Sequence, residues 1–158
     1  METLGLLLIL IYKGGKSMSQ AINGVGTIFQ RWNGSAWVHI AEIKSIDGPS
    51  KTRDTIETTN LDTTGGYKTF IASFRDAGTV QLSMNFTRAT YELMDDDFAS
   101  ETLKNYEIIL PDSEVTSIEF EGLVTELGLS ITTGDVVSAP VTIKVSGAPV
   151  MNSGSGSN

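Results

Sequence analysis

In GTVQLSMNFT (residues 78–87), Val80, Leu82, Met84 and Phe86 alternate with Gln81, Ser83, Asn85 and Thr87. A two-residue period puts successive side chains on opposite faces, so only an extended strand can bury the apolar set together. The polar set then faces water, as in an antiparallel sheet covered on one side. The same alternation returns in SAPVTIKVSG, through Val141, Ile143 and Val145. This pattern commits the chain to a mainly β fold.

Other segments extend the reading. GTIFQRW (26–32) and WVHIAEIKSI (37–46) are separated by Asn33-Gly34. Asn-Gly is a strong hairpin signal because both residues tolerate positive φ. NYEIILP (105–111) and SIEFEGLVTELGLSI (117–131) read as strands, with Gly122 or Gly128 marking a bend or bulge. In TRATYELMDDDFASETL the period changes: Tyr91, Met94 and Phe98 recur at helical spacing, and Thr87 or Thr90 is placed to cap the start. The result is roughly seven strands with one flanking helix. A β-sandwich or partly open barrel accommodates that order.

DGPSKTRDTIETTNLDTTGGY (47–67) fits neither period. Ile56 and Leu61 are its only aliphatic anchors, and Lys51, Arg53, Asp54, Glu57, Asp62 and the following Lys68 give it mixed charge. Long irregular segments in compact domains are usually functional or disordered. This one is either a mobile surface loop or an arm that orders on a partner subunit.

The chain holds 11 basic and 19 acidic residues, a net charge of −8, and no cysteine. Nonspecific nucleic-acid binding needs basic surface, so an acidic chain is a poor candidate, whereas it suits a surface that must not adhere to DNA. Disulfides and thiolate chemistry are excluded. The N-terminal run Leu4 to Tyr12 is too short for a spanning helix, which needs roughly 20 residues. Its charge order, Glu2 before and Lys13 and Lys16 after, is the reverse of an export signal. Gly15-Lys16-Ser17 ends like a phosphate loop, but Leu10 stands where the first glycine is required.

Chemistry-bearing constellations are weak. His39 is the only histidine, in a strand pattern. Asp95, Asp96 and Asp97 fan about 100° apart on a helix and cannot converge on one cation; they read as its solvated side. Glu119 and Glu121 share a strand face and read as exposed charges. Gly24-Val25-Gly26 lacks a third glycine. Trp32 and Trp37 flank the hairpin turn, where packing against each other is the common outcome. No catalytic residue, metal or cofactor is expected.

NLDTTGGYKTF followed by ASFRDAGTVQLSMNF resembles a motif of the major tail tube proteins of long flexible-tailed, lambda-like phages. The matching positions are Thr64, Gly66, Tyr67, Lys68, Asp76 and Gly78. The following helix matches too, as does the closing SITTGDVVSAPVTIKVSGAP, whose Gly147-x-Pro149 ends the final strand. The resemblance covers about residues 19–149. It implies a structural virion protein with a β-sandwich subunit, a fold shared with tubes of contractile tails and of type VI secretion. It implies hexameric rings that stack into a hollow tail tube, and an arm that bridges subunits or rings. The implied partners are a tape-measure protein and tail-tip or terminator proteins, with DNA as non-specific passing cargo and no membrane. Assembly would take place in the host cytoplasm. The alternatives are a secretion-system tube, a tail-completion ring, or a monomeric binding module using Trp32 and Trp37.

The organisation expected is an N-terminal extension over residues 1–17, a tail tube domain over 18–149 and a flexible Gly/Ser tail over 150–158. The extension is read as an upstream start-site addition or an apolar assembly arm. The immunoglobulin-like domain that follows in many relatives is absent or truncated in this reading.

Overall fold

The computed structural model describes residues 21–154; the N-terminal extension and the last four residues lie outside it. Nine strands and one α-helix are present among the described residues: β1 (Ile28–Trp32), β2 (Trp37–His39), β3 (Ile43–Asp47), β4 (Thr52–Glu57), β5 (Phe70–Asp76), β6 (Thr79–Asn85), α1 (Arg88–Ala99), β7 (Lys104–Ile109), β8 (Thr116–Leu127) and β9 (Ser138–Ser153). Seven strands form one antiparallel sheet in the order β2-β1-β7-β8-β9-β6-β3, and β4 pairs only with β5. None of the described helices is long and apolar enough to cross a membrane.

The alternating strands behave as their pattern dictates. Val80, Leu82 and Met84 from β6 meet Val141, Ile143 and Val145 from β9 in the core. Phe29, Tyr106 and Phe120 stack across β1, β7 and β8, with successive ring centroids 5.7 and 5.6 Å apart. Gly122 lets β9 approach closely, since a Cβ there would stand 2.7 Å from the Lys144 carbonyl oxygen.

The hairpin after Asn33-Gly34 forms, with Trp32 opposite Trp37 and their rings edge to face at 5.4 Å. The expected single return strand over residues 37–46 does not. It breaks into β2 and β3, which occupy opposite edges of the sheet. Glu42, at φ 63, makes the break, and its carbonyl takes the Asn85 N–H at 2.8 Å. Residues 40–42 alone join the two edges, so the edges lie within about 14 Å of each other. The sheet therefore curls nearly into a barrel. Ile40 fills the seam, fully buried, with its N–H on the Phe29 carbonyl at 2.9 Å. Of the β-sandwich and the partly open barrel that the strand order accommodated, this is the partly open barrel.

Helix α1 lies against β8. Thr87 caps it by accepting the Thr90 N–H. Its buried stripe is Thr90, Met94 and Asp97, at helical spacing, whereas Phe98 is 49% exposed. The expected anchor at Phe98 is thus displaced one position, and Asp97 leaves the solvated side assigned to it. Arg31 of β1 explains this. Its Nε donates to Asp97 Oδ2 at 2.8 Å, its Nη2 pairs with Oδ1, and Tyr106 Oη donates to Oδ2 at 3.0 Å. A buried carboxylate is tolerable when paired and hydrogen-bonded. The Asp97 hydrogen bond raises Arg31 above its ordinary value, and burial, then the Asp97 charge, push the Tyr106 phenol up.

Strand β9 runs past Pro149 to Ser153, so residues 150–153 belong to the sheet and not to the expected tail. Glu121 pairs with Ser146 but Glu119 with Val150, leaving Gly147, Ala148 and Pro149 as a bulge. Gly147 supplies a φ of 76 there, and Pro149, lacking an N–H, sits where no ladder bond is needed.

Candidate assembly surface

Residues 48–79 build the feature most in need of a partner. Gly48 (φ 105) and Gly78 (φ 71) bring its two ends together. A Cβ on Gly48 would collide with the Thr79 carbonyl oxygen, and one on Gly78 with that of Ser50. From this pinch point β4 and β5 project as a two-stranded hairpin. The expected irregular loop is therefore a β-hairpin reaching beyond Tyr67, to Asp76.

The hairpin closes at its far end through Thr58 and Thr69. Thr58 N–H donates to the Thr69 carbonyl at 2.8 Å, and Thr69 N–H donates to Thr59 Oγ1 at 3.0 Å. Asn60 then organises the tip: its Oδ1 accepts the Asp62 N–H at 3.1 Å. Thr64 and Gly66 form one 3-10 turn, and Tyr67 follows it with 81% of its surface exposed. Glu57, the last residue of β4, pairs with Lys68, two residues before β5, at 2.9 Å, both at the surface.

Both faces of this hairpin are open. Every residue of β4 is exposed. Ile56 stands opposite Ile71, and Phe70 and Phe74 are 53% and 86% exposed. An isolated two-stranded hairpin is marginal in water, and contiguous exposed apolar side chains mark an interaction surface. Phe70, Ile71, Phe74 and Arg75 were not among the expected arm residues; the apolar content of FIASF was the signal for the first three, and Arg75 had none.

At the arm's base the predicted residues converge. Asp76 Oδ1 accepts the Gly78 N–H at 2.7 Å, and Lys144 Nζ reaches Oδ1 and Oδ2 at 2.9 and 2.7 Å. Lys144 first, then the Gly78 N–H, hold the Asp76 carboxyl below its ordinary value. Arg53 lies directly opposite Arg75. With Lys51, Phe74 and Pro149 they line a groove of about 850 Å³ between the hairpin and the β9 bulge. Asp54 sits at the register shift after Arg53. Asp62, Thr64, Gly66 and Tyr67 lie at the opposite end of the arm, beyond the Thr58–Thr69 closure.

The remaining candidates do not assemble into a site. His39 is exposed at the end of β2. Asp97 faces Arg31 while Asp95 and Asp96 stay exposed. Glu119 accepts from Asn152 Nδ2 at 2.8 Å, and Glu121 is exposed on the face opposite Phe120 and Val124. Among the described residues no cluster of His, Asp and Glu is arranged to hold a metal ion.

No curated protein matches the sequence. Among solved structures, the tail of an empty gene transfer agent particle, refined with C6 symmetry, superposes with a TM-score of 0.70 at 17% identity, covering 84% of this chain and all (100%) of that one. The tail tube of phage SPP1 superposes at 0.63 and 10% identity, covering 84% and 80%. The sheath/tube terminator of PVC, an extracellular contractile injection system, superposes at 0.65 and 16%, covering 85% and 99%. At these identities the likeness establishes the fold. Residues 21–152 match the family model of the lambda phage tail tube protein. That match takes in the arm, the helix and all but the last residue of the curled sheet, and bears out the resemblance: the chain belongs to the lambda phage tail tube protein family, whose members are structural proteins of the virion tail.

Proposed function

We propose that this subunit forms hexameric rings that stack into the hollow tail tube, and that the β4–β5 arm bridges each subunit to a neighbour. The arm carries this reading: a hairpin with Ile56, Ile71, Phe70 and Phe74 in water gains stability only when another surface covers it. The C6 symmetry of the gene transfer agent tail supports the ring number. Head-to-tail contacts between rings are heterologous, so they repeat without closing and generate a filament. The tube would surround a tape-measure protein, end in tip and terminator proteins, and assemble in the host cytoplasm. Its net acidity would keep passing DNA from adhering. The protein acts by assembly and carries out no catalysis.

The test is excision of the arm. Because Ser50 and Gly78 already touch, a short Gly-Ser linker can replace residues 51–75. Circular dichroism should show a folded subunit, and electron microscopy should show no tubes. Tubes of normal length and abundance would refute the bridging role.

A further inference from the structure

The arm's charge differs from that of the rest of the chain. Residues 51–76 carry as many basic as acidic side chains, so the excess of acid lies elsewhere. Within the arm, the cations Lys51, Arg53 and Arg75 gather in the groove at its base. None of the three is ion-paired among the described residues. Arg53 opposite Arg75 is a like-charge cross-strand pair, which disfavours the isolated hairpin unless an anion arrives between them. Phe74, 86% exposed, lies in the same groove. The groove therefore fits a surface with carboxylates beside an apolar side chain.

The end of helix α1 presents that combination. Asp95 and Asp96 are exposed and form no ion pair among the described residues. The last turn has no basic residue, so these carboxylates add to the negative end of the helix dipole, and Arg31 acts on Asp96 only at longer range than its pair with Asp97. Phe98, three residues after Asp95 and on the same side of the helix, is 49% exposed, and Leu103 beyond it 45%. Asp97, between them, is already neutralised by Arg31.

We infer that the groove at the base of the arm seats the end of helix α1 of a second copy, with Arg53 and Arg75 on its Asp95 and Asp96 and Phe74 against its Phe98. This rests on the arm being an inter-subunit bridge and names what the bridge holds. It makes assembly salt-sensitive, since exposed charge pairs are screened.

Charge reversal in the full chain tests it. R53D/R75D and D95R/D96R should each lower the sedimentable tube fraction by about tenfold or more, and the combined four-site variant should restore it to within about threefold. Thermal melts of each unassembled variant check that it is folded. For any variant that is not, D95N/D96N serves instead, and its assembly should depend less on salt than that of the wild type. A combined variant no better than its parents, D95R/D96R assembling normally, or an unchanged salt dependence in D95N/D96N would overturn the seat. The arm excision separates this from the bridging role itself. If excision abolishes tubes while charge reversal is not rescued, the bridge stands and its seat is elsewhere. If excised protein still makes tubes, both readings fall.

Discussion

Lys144 of β9 grips both carboxylate oxygens of Asp76, the last residue of β5, at 2.9 and 2.7 Å. One of those oxygens also takes the Gly78 N–H. The pair ties the arm's exit to the central sheet. It also gives the Asp-x-Gly motif a physical reason: the aspartate fixes the turn, and the glycine supplies the positive φ and the room beside Ser50.

The Asp76 carboxyl is held below its ordinary value, chiefly by Lys144. A depressed folded-state value means the unfolded chain binds the proton more readily. The stabilisation is therefore present above the unfolded value of about 3.9 and lost as pH falls through the lower folded value. Asp76→Asn keeps the cap on Gly78 but loses the charge. It should lower Tm at pH 7, and the gap to the wild type should close as the pH is taken well below 3.9, the approximate free carboxylate value. A gap independent of pH would show that the ion pair contributes nothing.

Asp97 is the buried centre of an Arg31–Asp97–Tyr106 network joining α1, β1 and β7. Removing one member of a buried pair strands the other charge, at a cost of about 3–5 kcal/mol. Asp97→Ala should lose that much in urea unfolding, and Tyr106→Phe about 1.5–3 kcal/mol, the range for a hydrogen bond to a charged group. The double variant Arg31→Met/Asp97→Leu should be more stable than Asp97→Ala, because no unpaired charge remains.

These side chains also show what the sequence could and could not reveal. Strand β6 was legible because one of its faces is buried, which forces alternation on Val80, Leu82 and Met84. Strand β4 is exposed on both faces, so nothing imposed a period, and it read as loop. Asp97 looked like part of a solvated run because its partner, Arg31, is distant in sequence and no local pattern connects them. Ile40 kept an apparent strand continuous, although Glu42 turns the chain to the opposite edge. At the other end, Gly147 and Pro149 read as a terminus because a bulge uses the same residues as a stop. Of the arm, the charged side chains and the tip were legible; the cross-strand meeting of Arg53 with Arg75 required the register.

Gly78→Ala places a methyl against the Ser50 carbonyl oxygen at a φ of 71. Left-handed backbone on a non-glycine residue costs about 1–3 kcal/mol, before any collision. Gly24→Ala meets no neighbouring atom within 4 Å and is the control. Denaturation midpoints should fall for the first and stay close to wild type for the second. Equal midpoints would mean that the pinch point relaxes freely.

The arm's apolar side chains contribute little to the isolated subunit if their purpose is a neighbour. Phe74→Ser removes a side chain that is 86% exposed and should change subunit stability by no more than about 0.5 kcal/mol, whereas Ile71→Thr also loses the cross-strand contact with Ile56 and should cost up to about 1 kcal/mol. If the proposed bridge covers the same residues in the tube, each substitution should raise the concentration needed for assembly by about tenfold, the effect of roughly 1.4 kcal/mol per contact. Hydrogen exchange reads the same contrast directly. Amides of β4 and β5 should exchange quickly in the subunit, as exposed hairpin bonds do, and slowly in the tube, while those of β6 and β9 are protected in both. Arm amides that stay fast in the assembled tube would place the bridge elsewhere on the subunit.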